Sequence, residues 1–108
     1  MWNRKKNISE IINQINNQSK PYQLGKTNYF LRNSNKLLHK NIRQSVLVST
    51  LYLLVNNPNE PSLYTHKLSF RDHISSKINK KYRLIWYYSK KTPKTIILID
   101  IGNHDNVY

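Results

Sequence analysis

Four histidines, His39, His66, His73 and His104, stand in a chain with 18 lysines and arginines, eight tyrosines and no cysteine. These residue types define the chemistry open to the protein. An imidazole titrates near neutrality and can take or give a proton. Cationic side chains bind phosphate, and arginine does so through two parallel hydrogen bonds from a flat fork. The absence of cysteine excludes disulfides, thiolate metal sites and a cysteine nucleophile, and it fits a reducing compartment. The histidines lack metal-ligand spacing. Two glycines, Gly25 and Gly102, cannot build a glycine-rich phosphate loop.

Against those 18 cations stand 5 acidic residues, a formal net charge of +13. Such a chain attracts polyanions, so nucleic acid or an acidic protein is the expected partner. Composition alone also allows a merely basic surface or adhesion to anionic lipid. The length, 108 residues, fits one domain. The longest apolar stretch, Val46 to Val55, is broken by Ser49 and Thr50 and is too short to span a bilayer. Arg4, Lys5 and Lys6 have no apolar core after them, so the start is not a secretory signal. A cytoplasmic protein without a membrane partner is expected.

The elements that must position these residues follow from periodicity. Residues 1–26 read as an N-terminal extension, polar except for Ile8, Ile11, Ile12 and Ile15. Those four recur at helical spacing, and Asn7 with Glu10 can form a capping box, so a short amphipathic helix and a frayed tail are both open. The low apolar content suggests that the extension offers little to a core, and that residues 27–108 form the domain. Asn28 to Arg32 reads as a short strand and Asn33 to Lys40 as a first helix. Ile42 to Val55 is the clearest helix. Its stripe runs through Ile42, Val46, Ser49, Thr50 and Leu53, with Leu47, Leu51 and Leu54 beside it, and it stops before Pro58. Strands are expected at Tyr64 to Leu68, His73 to Ile78 and Tyr82 to Tyr88. Thr95 to Ile101 is a nearly continuous apolar run, as in a strand buried on both faces. The fold class is α+β, a small antiparallel sheet with two helices packed on one face.

Strand alternation sets Arg83 opposite Leu84 and Trp86. If those two face the helices, Arg83 points to the open face of the sheet, and Lys77 on the neighbouring strand can reach the same phosphate. Lys80 and Lys81 lie in the connection, where they can hold a polyanion or simply make a soluble turn. Trp86 reads as core. Taken alone, His104 is an exposed turn histidine, and His39 is a helix-end cation.

Several blocks occur in order: Asn57-Pro58, Pro61-Ser62-Leu63, Thr65-His66-Lys67-Leu68, Ser75-Ser76-Lys77-Ile78-Asn79, Tyr82-Arg83-Leu84-Ile85-Trp86, and the end from Asp100 to Tyr108. Together they resemble the RelE-like messenger-RNA interferases of the RelE/ParE superfamily, over about Asn28 to Tyr108. The loop from Ser69 to His73 departs from that pattern in having no glycine. The resemblance implies a toxin of a type II toxin–antitoxin system, an endoribonuclease that cleaves messenger RNA in the ribosomal A site. It implies no metal, no cofactor and no small-molecule ligand, and an antitoxin protein, expected to be acidic, as partner. It makes His104, Arg83, Tyr108 and Lys77 the catalytic candidates. Lys81, Lys80, His73, Lys67 and His66 become RNA-binding candidates, with His73 similar in place to a site histidine of the YafQ-like branch. Metal-free RNA cleavage needs a base for the ribose 2′-hydroxyl, cations for the phosphate and an acid for the leaving oxygen, and these residue types supply all three. A ParE-like gyrase inhibitor and an inactive RNA-binding remnant are the competing expectations; a gyrase inhibitor has no use for a proton-transfer histidine, whereas the unusual N-terminus and the missing glycines favour the remnant.

Overall fold

The computed structural model describes residues 4–69 and 72–103. In chain order it contains α1 (Ile8–Asn16), β1 (Gln23–Lys26), α2 (Asn28–Leu37), α3 (Gln44–Asn56), a 3-10 turn (Pro61–Leu63), β2 (His66–Lys67), β3 (Ile74–Lys77), β4 (Tyr82–Tyr88) and β5 (Thr95–Asn103). The strands form one sheet in the order β1-β5-β4-β3-β2. The fold is the expected α+β, with three differences.

First, the sheet is mixed. β1 lies parallel to β5, while the other pairs are antiparallel. β1 comes from residues assigned to the extension.

Second, a third helix joins the expected two. α1 starts with the capping box foreseen in the sequence. The Asn7 side chain accepts from the Glu10 N–H at 2.9 Å, and the Glu10 carboxylate accepts from the Asn7 N–H at 3.2 Å. The Arg4 guanidinium, bonded to Glu10, holds that carboxyl below its ordinary value. Ile8, Ile11, Ile12 and Ile15 are all fully buried in the same hydrophobic core as the sheet residues Leu84, Trp86 and Leu98. The connection is polar as well. The Asn16 amide donates to the Leu24 carbonyl and accepts from the Leu24 N–H, both at 2.8 Å, so a side chain imitates a neighbouring strand and covers the edge of β1. Ile8 N–H donates to Asn35, Lys6 N–H to Gln44, and His39 to the Lys6 carbonyl. The frayed-tail alternative is therefore excluded for residues 7–16, and the expectation that this segment adds little to the core is corrected. Four fully buried isoleucines outweigh a polar composition.

Third, Asn28 to Arg32 is not a strand but the first half of α2. The Thr27 hydroxyl caps the helix by accepting from the Phe30 N–H at 3.0 Å, and Phe30 and Ser34 stand four apart on its buried side. Five residues were too few to separate the two periods. In α3 the buried stripe is Leu47, Thr50, Leu51 and Leu54, flanked by Val48 and Val55, whereas Ser49 and Leu53 are exposed. The helix is thus turned relative to the expected stripe.

β5 is buried on one face only. Ile96, Leu98 and Ile101 join the core, while Ile97 and Ile99 are half-buried. The spacing changes from two to three because the register slips. Ile85 pairs with Asp100 and Trp86 with Leu98, which leaves Ile99 as an extra, bulged residue.

Fully burying an isoleucine contributes roughly 1.5–3 kcal/mol, so the four in α1 contribute on the order of the whole net stability of a small domain. Ile12→Ala should lower the unfolding free energy by about 2–5 kcal/mol in urea titration. A chain beginning at Thr27 should lose its cooperative thermal transition. A sharp transition in that truncated protein would show that α1 and β1 are dispensable.

Candidate functional site

The two faces of β4 differ in kind. Tyr82, Leu84 and Trp86 belong to the core, with Ile74 paired to Trp86 and Ser76 to Leu84 on β3. The alternate positions, Arg83 and Ile85, pair with Lys77 and Ser75 and point to the face turned away from the helices. His66 on β2 pairs with Ser75 and shares that face.

Arg83 organises it. The residue is only 8% exposed, so the guanidinium must be hydrogen-bonded. Nε donates to Ser75 Oγ at 2.6 Å, and Nη2 donates to the Tyr64 carbonyl at 2.9 Å. His66 Nδ1 lies 3.2 Å from the same carbonyl. A carbonyl can only accept, so Nδ1 is the donor in this contact. Tyr64 holds its carbonyl there from a left-handed backbone, φ 46° and ψ 46°. For a bulky residue that costs roughly 1–3 kcal/mol and persists only where surrounding bonds enforce it. Lys77 Nζ stands 4.9 Å from the centroid of the Tyr64 ring.

Tyr64, His66, Lys77, Asn79, Lys80 and Arg83 line one cleft of about 460 Å³. Asn79 shapes its rim. Its side-chain oxygen accepts from the N–H groups of Lys81 and Tyr82 at 2.9 and 2.8 Å, which folds the β3–β4 turn and presents Lys80.

The structure therefore brings together Arg83, Lys77, Lys80 and His66 of the expected set. It sets the others apart. Lys81 turns towards the Tyr82 ring, 5.6 Å from its centroid, and lines a different cleft with Lys36 and Asn103. His73 and Lys67 line a third cleft, of about 490 Å³, with Tyr87 and an exposed Asp72–Lys90 ion pair. There the His73 ring stacks on Tyr87 with 6.2 Å between centroids. His104 and Tyr108 lie outside the described residues. The last described residue, Asn103, pairs with Tyr82, and Gly102 pairs with Arg83. Among the described residues no group of three or more His, Asp or Glu side chains can hold a metal ion, and no helix is long and apolar enough to cross a membrane.

Sequence reasoning missed Tyr64, Ser75 and Asn79. Ser75 was open to discovery, because alternation puts it on the face of Lys77. The left-handed Tyr64 had no such signal, since no glycine or asparagine marks the turn.

A chain of hydrogen bonds on the core side fixes the approach to the cleft. The Trp86 indole donates to Ser76 Oγ at 2.9 Å, Ser76 lies 2.7 Å from Thr65 Oγ1, and Thr65 donates to the Pro58 carbonyl at 2.7 Å. Thr65 follows Tyr64, so the chain ties the strained turn to β3 and β4. Ser76→Ala leaves a fully buried indole N–H without its acceptor, and the expected loss is about 1–3 kcal/mol of stability in a denaturant series. An unchanged midpoint would refute the importance of this chain.

No protein-family model matches the sequence, and no curated protein is similar enough to count as a relative. Solved structures do match. The toxin YafQ of Escherichia coli BL21(DE3) superposes with a TM-score of 0.65 at 16% identity, over 81% of this chain and 98% of that one. A copper-bound mutant of a toxin from Helicobacter pylori gives 0.66 at 21% identity, over 81% and 99%. The E. coli DinJ–YafQ toxin–antitoxin complex gives 0.65 at 15% identity, over 82% and 98%. The likeness is one of fold: the chain has the fold seen in YafQ and in the H. pylori toxin.

Proposed function

We propose that the protein is the toxin of a type II toxin–antitoxin pair, an endoribonuclease that cleaves messenger RNA in the ribosomal A site, in the cytoplasm, without metal or organic cofactor. The observation that supports this reading above all is the meeting of Arg83, Lys77, Lys80 and His66 at one cleft of a toxin-like fold. Three cations there suit a phosphate, and an imidazole suits proton transfer.

In the proposed reaction a base takes the proton of the ribose 2′-hydroxyl. The 2′-oxygen bonds to phosphorus, the bond from phosphorus to the 5′-oxygen breaks, and an acid protonates that oxygen. The products are a 2′,3′-cyclic phosphate and a 5′-hydroxyl. Arg83 and Lys77 stabilise the crowded phosphate. His104 carries a proton, and His66, whose Nδ1 faces the Tyr64 carbonyl at the cleft, is a second imidazole beside the phosphate. Tyr108 stacks on a base or touches the phosphate. Lys80, Lys81, Lys67 and His73 hold the RNA backbone around the site. The inhibitor is an acidic antitoxin segment whose carboxylates occupy the same cations.

The test is purified protein added to programmed ribosomes, followed by mapping of RNA ends. Cuts within the A-site codon are expected. Arg83→Ala should slow cleavage by about 10²-fold or more, and Arg83→Lys should recover it only in part, because lysine lacks the flat fork. His104→Ala should abolish growth arrest in a protein that still unfolds cooperatively. Intact RNA together with gyrase-dependent DNA breaks would replace this reading with gyrase inhibition. Intact RNA and intact DNA would leave an inactive RNA-binding protein.

A further inference from the structure

Tyr64 has a ring that stands mostly outside the packed core, with the Lys77 ammonium beside it. The side chain is 64% exposed, at the rim of a cleft lined by Lys77, Lys80 and Arg83. Its left-handed backbone would be adopted more readily by glycine or asparagine, so the backbone does not call for tyrosine. The carbonyl accepts from Arg83 and His66, and these bonds hold the backbone in place. What tyrosine adds beyond glycine or asparagine there is a flat aromatic surface. That surface stands beside the cations, with the Lys77 ammonium 4.9 Å from the ring centroid.

A flat ring beside phosphate-binding cations matches the two parts of a nucleotide. Single-stranded nucleic acids are held in this way, with the backbone on cations and unstacked bases on aromatic rings. We propose that Tyr64 is a base-stacking residue of the cleft, receiving the base next to the phosphate held by Arg83 and Lys77. This inference rests on the nucleic-acid reading above and adds a residue that determines how a single strand is gripped. Stacking is tolerant of base identity, so Tyr64 contributes affinity for unstacked bases and little preference among them.

The test uses two labelled oligonucleotides of equal length in fluorescence anisotropy at fixed salt. One is a 2′-O-methyl RNA, which cannot be cleaved because its 2′-oxygen carries no proton. The other is an abasic strand with the same number of phosphates. The intact protein should bind the first about tenfold or more tightly than the second. Tyr64→Asn keeps the carbonyl and tolerates the left-handed backbone, and it should bring the two affinities together. Tyr64→Phe should keep the difference. Lys80→Ala should weaken both complexes by a similar factor, as loss of a phosphate contact does. If Tyr64→Asn does not fold, Tyr64→Gly takes its place, since glycine adopts this backbone without strain. Equal affinities in the intact protein, or a difference that survives both substitutions, would overturn the stacking role alone. Failure to bind either strand would overturn the nucleic-acid reading and this inference with it.

Discussion

The clamp on Arg83 is the constraint from which the site follows. A guanidinium with so little exposure is tolerable only if its donors are met, and its partners come from β3 and from the turn before β2. Meeting Ser75 fixes the register of β3 against β4. A slip of one residue would send Arg83 into the helical face and Leu84 out of it. Meeting the Tyr64 carbonyl forces the turn into its left-handed form. Once these are set, Lys77 lies directly opposite Arg83 and His66 directly opposite Ser75. Like charges opposite each other on a sheet are destabilising. Their juxtaposition is costly for folding and useful for an anion.

The cost is borne by the other face. There the large side chains of all three helices meet Leu84, Trp86, Ile96 and Leu98 without a break in burial. The Asn16 amide closes the β1 edge, and the Trp86–Ser76–Thr65 chain satisfies the polar groups that enter the core. No described buried side-chain nitrogen or oxygen is left without a partner. The sheet thus divides its residues by strand parity: one alternate set joins the helices, and the other carries Arg83 and Lys77 beside the buried Ser75 and Ile85.

Much of this was legible in the sequence. β4 runs over the seven residues expected, because aromatic and branched side chains were dense there, and alternation put Arg83 opposite Leu84 and Trp86, on a face that is buried around it rather than open. α3 and the Asn7–Glu10 box followed from spacing. The failures have physical causes. Asn28 to Arg32 carries apolar residues that suit either period, and only the Thr27 cap and the more distant Ser34 decide for helix. The parallel β1–β5 pairing is non-local, and four residues with one buried leucine give no sign of their partner. The bulge at Ile99 depends on the register of two strands, which no single run of residues specifies. In the site, cations were identifiable by type, but Lys81 and Lys80 are neighbours that line different clefts, a distinction made by Asn79.

The basic charge and the isoleucine helix belong to one argument. With 18 cations and 5 acidic residues, even complete pairing would leave 13 positive charges without an internal partner. Self-repulsion of that size weakens a compact state, and it is least screened where cations converge on a half-buried cleft. A domain of this size has a net stability of only about 5–15 kcal/mol from which to tolerate it. α1 supplies apolar burial of comparable magnitude from residues that touch no part of the Arg83 cleft. Any polyanion that bound the cleft of the folded form alone would relieve the repulsion and stabilise the fold by linkage. The burial in α1, together with the rest of the core, thus offsets the self-repulsion of that positive face.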